Sequence, residues 1–505
     1  MKIIVLTACT AVCLVAAARA EEFRTFTNAK GQSIKAKLVS VASGAATIQR
    51  EDGQQFTLPL ATLSAADQAF IKQAATAAPA STPSAPATKP SSFKAAPGPN
   101  DKLTPEQVNA AVGGELFSAT MLWETAATDV AQRLGLREES KTKAQSSYRL
   151  YPKPDLQLFG AHPYSIALYA DNERVASISM VFANKGDLFS SKGSAEMHFD
   201  KDSTPAQLAQ AAKLVRSAMD KDLGTISAAL TKVLGEPKKE RFGDGAGRMN
   251  MQRWDWRGHS ILLADAESAD KEPEYVGLQI VTTAFADAGG KAAKTSDVVI
   301  REHAKSNIEN RKGGDVVIND IPMVDQGPKG YCVPATAERA MRFMGMPADM
   351  YVLANAGGTG YGGGTSVELL LQGVGRQIRA KSRSFDSWDG ELKIRDIARS
   401  IDKGIPIIWA LFSTKGFNET ANKRSEARKQ VSDWAEWKTK VTGESASNQI
   451  EMDKETAHVV LIIGYNKDTN EIAFSDSWGE RYKERWITIS EAEQVSQKRF
   501  YVVGF

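Results

Sequence analysis

The sequence predicts a multidomain α+β protein, and three observations carry that prediction. At 505 residues the chain is too long for a single core. A run of alanine, proline, serine and threonine at 74–99 contains only one aromatic residue, Phe93, so it buries nothing and separates a short N-terminal segment from a long remainder. Beyond it, stretches with helical and strand spacing interleave on both sides of a second glycine-, alanine- and lysine-rich stretch at 286–297. The expected architecture is a small β-barrel, a middle α+β domain and a C-terminal α+β domain. Hydrophobic residues make up 42% of the chain and the formal net charge is +3, a field too weak to call for nucleic acid as a partner.

Met1-Lys2, an apolar run from Ile3 to Ala18 and Ala18-Arg19-Ala20 before two glutamates read as a secretory signal peptide over residues 1–20, cut after Ala20. Leu6-Thr7-Ala8-Cys9 also has the look of a lipoprotein cleavage box, but it would leave an apolar core too short for a signal. The expected location is therefore exported, periplasmic or extracellular, with no integral membrane segment once the signal is removed. Cysteines stand at 9, 13 and 332. Two leave with the signal, so an exported chain keeps one thiol with nothing to pair with, which marks Cys332.

Residues 21–73 alternate in short strands at 23–27, 33–41, 45–50 and 55–60, broken at Lys30-Gly31, Ser43-Gly44 and Asp52-Gly53. Four strands with glycine turns suggest a small barrel, capped by a helix that starts at Ser64. The linker spans 74–103. Residues 104–286 are read as a separate α+β domain of unassigned role. Its helices are expected at 108–134 and 206–234, and its strands at 164–169, 174–182, 250–256, 260–264 and 275–283, with hairpin turns at Asp171-Asn172 and Arg257-Gly258. His198, Asp200 and Asp202 read as a solvated acidic loop, because no second ligand cluster supports a metal there. Trp254 and Trp256 read as one core ring and one outer ring on a strand rather than as a carbohydrate platform.

A hinge is expected at 287–309 and the C-terminal domain at 310–505. The glycine run at 357–364 lacks the closing Lys-Ser/Thr of a phosphate cradle, so it reads as a flexible loop before a helix at 366–378. A helix at 392–403 stops at Gly404, and 405–412 is a buried strand. An insertion at 413–455 follows, in which 418–441 has the spacing of one amphipathic helix, solvated and packed by Trp434 and Trp437.

The chemistry gathers in this last domain. Cys332 ends the string Gln326-Gly-Pro-Lys-Gly-Tyr and opens a stretch of helix formers, with Pro334 placed where a missing N–H does no harm. A thiol at a helix N-terminus is favoured as thiolate by the open amides and the macrodipole. Gln326 is a neutral amide donor suited to an oxyanion. His458 opens an apolar strand, and Asp476 closes the next strand after a short turn, so the two emerge at one edge as base and orienter. Singly, Cys332 could be a small core residue, His458 a satisfied sheet residue and Asp476 a turn former; together and in this order they point to a thiol hydrolase.

Glutamine, a cysteine heading a helix, a histidine opening a strand and Asp476-Ser477-Trp478-Gly479 resemble the papain fold over roughly residues 310–505. The short gap from His458 to Asp476, and aspartate where papain has asparagine, are more similar to the bacterial double-glycine, or bacteriocin-processing, peptidases and their stand-alone relatives. Arg24-Thr-Phe26, Gly31, Ala36-Lys-Leu38, Asp52-Gly53 and Leu63-Ser-Ala-Ala-Asp67 resemble the Sla-one homology domain, an SH3-like barrel. The resemblances imply an exported papain-like cysteine peptidase with Cys332 as nucleophile, His458 as base, Asp476 as orienter, Gln326 as oxyanion donor and Trp478 as cover. They imply no metal and no cofactor, a peptide or protein substrate, and a protein partner for the N-terminal barrel. Two other readings stay open: an acyl transferase or amidase on the same fold, and a catalytically silent binding or scaffold protein.

Overall fold

The structure is a computed structural model that describes residues 23–28, 32–42, 45–50, 55–76, 98, 100–191, 193, 199, 203–291 and 295–505. The expected signal peptide, the lipoprotein box, the three glycine turns of the N-terminal segment, most of the linker and the stretch holding His198, Asp200 and Asp202 lie outside the described residues. The chain divides between residues 93 and 94 into two compact units. Among the described residues no helix is long and apolar enough to cross a membrane.

In the first unit the strands Arg24–Thr27, Ser33–Ala42, Ala45–Arg50 and Gln55–Pro59 pair antiparallel in sequence order. Among the described residues the first and last strands do not pair with each other and no closed barrel is seen, while an isolated bridge between Asn28 and Leu63 joins the end of the first strand to the segment before the helix. Helix Ala65–Thr76 covers it, with Phe26, Ala36, Ala46, Ile48, Leu63 and Ile71 as the core. Asp67 fastens helix to sheet: it accepts from Ser64 Oγ, from the Thr27 amide at 2.8 Å and from Arg24 Nη2 at 2.8 Å.

The second unit holds two sheets. One is antiparallel, in the order Arg137–Lys141, Gln145–Leu150, Ser165–Asp171, Arg174–Asn184, Pro273–Thr282, His259–Glu267, Met249–Trp256 and Lys238–Phe242. Helix Pro205–Leu234 lies on it and is set at its start by a Thr204–Gln207 capping box. The hairpin at Arg257-Gly258 has both residues at positive φ, the geometry a two-residue turn needs. Residues 108–134 are not one helix: Pro105–Val112 ends at Gly113 in the left-handed region, and Ala127–Arg133 begins anew. Trp254 and Trp256 are both in the core, because residues two apart on a strand share a face. Strands Arg137–Lys141 and Gln145–Leu150 escaped the sequence reading, since the first has no apolar residue and the second only Tyr148 and Leu150 among glutamine, serine and arginine.

The C-terminal sheet runs Ile308–Asn310, Asp315–Ile318, Ala457–Asn466, Ile407–Phe412, Ser496–Gly504 and Ser384–Asp389, and Glu471–Ser475 pairs with the other edge of Ala457–Asn466 and with Arg485–Thr488. Strand Ala457–Asn466 is buried from His458 onward, which is why it reads as a continuous apolar run. Gly464 belongs there because a Cβ would meet the Val316 carbonyl at 2.6 Å. Helix Cys332–Phe343 packs against the same strand. The stretch read as a hinge contains helix Asp297–Ser306, whose Ile300 and Ala304 belong to the core of this region. The insertion forms two helices, Lys415–Arg428 and Trp434–Ser447, rather than one, with Phe417, Ala421, Arg424 and Arg428 buried on the first.

Candidate active site

Cys332 is the first residue of helix Cys332–Phe343 and is partly exposed. Tyr331 precedes it as N-cap and offers no side-chain cap, so the first amides of the helix keep no side-chain acceptor. The loop that leads into Cys332 touches the glycine run at 357–364 backbone to backbone. The Gly330 amide donates to the Gly362 carbonyl at 3.1 Å and the Gly364 amide to the Gly330 carbonyl at 3.0 Å. A Cβ on Gly363 would lie 2.3 Å from the Gly330 Cα, so the glycine run serves close backbone approach.

His458 and Asp476 come together through strand register. Leu461 pairs with Ser475, so the residues just beyond the paired segment, His458 and Asp476, fall at the same end. His458 Nε2 lies 2.8 Å from Asp476 Oδ1. The ring therefore has Nδ1 left for the thiol side, and Cys332 is close enough to act on His458 both by charge and by hydrogen bond. Trp478 stacks on the imidazole with centroids 4.8 Å apart. Asp476 is fully buried, and both of its oxygens are engaged: the Ser477 amide also donates to Oδ1 at 2.9 Å and Arg485 Nη2 donates to Oδ2 at 2.7 Å.

The helix and the histidine strand are joined near the site. Thr336 Oγ1 donates to the Val459 carbonyl at 3.2 Å and sits 3.2 Å from Ser477 Oγ. Arg339, 1% exposed, donates to the carbonyls of Pro322 and Ser475. Burial pushes its guanidinium down to about 10, with Asp476 as the main opposing charge. Gln326 anchors the other end: its backbone N–H donates to the Ser477 carbonyl at 2.9 Å. Its side-chain Nε2 donates to the Lys329 carbonyl at 3.2 Å, which fixes the amide's orientation because a carbonyl only accepts. One N–H of that amide is left over, while Oε1 is buried without a partner.

For His458, burial disfavours the cation, but Asp476 and Cys332 together outweigh it and raise the ring to about 10. The imidazolium is thus the form this site favours through neutral pH. A buried imidazolium between a thiol and a carboxylate can hold a thiolate ready and can later give up its proton.

The structure brings Cys332, His458 and Asp476 together and puts Gln326 on the loop leading to the thiol. Reading the sequence missed Arg485 and Arg339, which stand among other charged residues, Lys483 and Glu484 for the first and Glu338 and Arg342 for the second, and so look like solvated positions. It also missed what the insertion supports: Arg485 Nη1 donates to Asn418 Oδ1 at 2.8 Å and to Asn422 Oδ1 at 3.3 Å, both on helix Lys415–Arg428. The other described histidines have structural partners, His303 meeting the Asn307 side chain. His259 stacks on Trp256 and takes the Leu122 amide, and burial pushes it down to about 4; His162 pairs with the Leu156 carbonyl.

No curated protein matches the chain. Residues 318–503, which carry all four of these residues, match the model of the Peptidase_C39 like family, and that similarity points to a cysteine peptidase in the C-terminal region.

Proposed function

We propose that the chain is an exported cysteine peptidase of papain-like type, with Cys332, His458 and Asp476 as triad and Gln326 as oxyanion donor. The observation that carries the reading is the 2.8 Å contact of His458 Nε2 with a buried Asp476, on a ring that also feels the charge of Cys332, the first residue of a helix. The Cys332 thiolate attacks the peptide carbonyl. The oxyanion is held by the Cys332 amide and the spare Gln326 N–H. His458 gives its proton to the leaving amine, then takes one from water as that water attacks the acyl enzyme, and thiolate and imidazolium return. Asp476 fixes the ring tautomer throughout, and Trp478 shields the pair from water.

Export rests on the N-terminal sequence alone, and N-terminal sequencing of the protein recovered outside the cytoplasm should start at Glu21. The activity is tested by treating folded full-length protein at neutral pH with a peptidyl thiol-directed inhibitor. An adduct on Cys332 is expected. Labelling only after denaturation would remove the active-thiol reading.

A further inference from the structure

We propose that the middle region is the rear wall of the active site, and that Asp187 acts as a positioning residue through Lys329 for the loop that carries Cys332. The proposal rests on the thiol reading above and extends it to residues outside the family match.

The loop 326–331 is held along its length by side chains from 139–187. At its start, the Asp325 amide donates to Glu139 Oε1 at 2.8 Å, and Tyr151 Oη donates to the Asp325 carbonyl. The Tyr151 ring also covers Gly327, which has φ 72° and where a Cβ would meet the ring at 2.6 Å. At its middle, the Lys329 side chain is 0% exposed, and its ammonium lies 3.1 Å from Asp187 Oδ1 as a charge contact off the hydrogen-bond direction. The rings of Tyr151, Tyr331 and Tyr351 surround that ammonium at 4.7, 5.1 and 4.9 Å. At its end, Tyr331 Oη meets the Asn184 side chain at 3.2 Å, and a Cβ on Gly186 would fall 2.5 Å from the Tyr331 ring.

A lysine buried this deeply, three residues from the nucleophile, needs its counter-charge. Burial pushes the Lys329 ammonium down and the Asp187 carboxyl up, and each partner pulls the other back toward its charged form. Without Asp187 the ammonium either leaves the cage for water or gives up its proton and with it the charge contacts that hold it there. Either would draw Gly330, Tyr331 and the helix start out of place and move Sγ relative to His458, and a displacement of about 1 Å is enough to cost on the order of 100-fold in a reaction that depends on alignment.

The test is the iodoacetamide alkylation rate of Cys332 in the folded full chain at pH 6, with the adduct located by peptide mapping and folding checked by circular dichroism. Wild type should react faster folded than unfolded, because a free thiol, with a pKa of about 8.5, is almost wholly protonated at this pH. Asp187→Asn should slow the folded rate by about tenfold or more. The double variant Asp187→Leu/Lys329→Met, which replaces the pair by apolar groups, should recover it to within about threefold. Tyr151→Phe loses only the bond to the Asp325 carbonyl; it should slow the reaction about twofold and is the decisive variant where Asp187→Asn does not fold. A lowered melting temperature with an unchanged rate in these single variants overturns the proposal. So does a folded double variant as slow as Asp187→Asn. Wild type that reacts no faster folded than unfolded would instead sink the thiol reading itself.

Discussion

The two halves of the site are built from the same few motif residues but braced from different parts of the chain. The cysteine half leans on groups as far as 186 positions upstream, with Glu139, Tyr151 and Asp187 holding the loop before Cys332. The His458–Asp476 half is braced from within the C-terminal region, by Arg485 against Asp476, by Asn418 and Asn422 against Arg485, and by Trp478 over the ring. The reacting groups need only be of the right type at the right end of an element, whereas the braces must be charged or hydrogen-bonding groups that arrive from elsewhere and are satisfied once buried.

The largest effects should fall on both halves alike. Cys332→Ala and His458→Ala should each lower hydrolysis of a fluorogenic peptide library by about 10⁴-fold, since residues acting as a unit are lost as a unit. A His458→Ala variant with most of its activity would separate the halves and break the comparison.

Next comes Arg485→Met, which takes from buried Asp476 the guanidinium that bonds its Oδ2 and leaves His458 as its one hydrogen-bonded counter-charge. Removing one partner of a buried pair costs about 3–5 kcal/mol, read as a lowered urea midpoint. A change below about 1 kcal/mol, the level of an exposed pair, would mean that the brace carries little.

A pH effect separates the halves further. His458 is raised from its ordinary 6.5 to about 10. Its contribution to stability is therefore complete below pH 6.5 and is lost as pH rises through about 10. The stability gap between wild type and His458→Gln should shrink over that window, and a gap independent of pH would contradict the assignment. Asn418→Ala should have the smallest effect, about 1.5–3 kcal/mol for one hydrogen bond to a charged group, without loss of thiol labelling.

The fold was readable from the sequence where one residue pattern sufficed. The apolar run from Val459 to Tyr465, the helical spacing at 206–234 and the turn at Arg257-Gly258 are local signals, and each element formed. The order Gln326, Cys332, His458, Asp476 was likewise visible, because strand pairing alone carries His458 to Asp476. Strand Arg137–Lys141 was not, since its burial comes from partners such as Arg149 on Glu139 rather than from apolar periodicity. The insertion was misjudged for the same reason: Arg424 and Arg428 look solvated in sequence but are buried against Glu491, Asp315 and Glu471. No closed barrel is seen among the described residues: turn residues set hairpins, while closure depends on pairing the first strand with the last, and here a single bridge, Asn28 to Leu63, joins the two ends.

The most direct test of the central claim, that Cys332, His458 and Asp476 form one charged unit, is the alkylation rate of Cys332 against pH in folded wild type, Asp476→Asn and Asp476→Ala. In wild type the rate should already be high near pH 6. Asp476→Asn keeps an acceptor for the ring N–H but loses the charge, so its rate at pH 6 should fall by about tenfold, and Asp476→Ala should fall further, each profile moving toward that of a free thiol near pH 8.5. Three superimposable profiles from equally folded proteins would contradict the account.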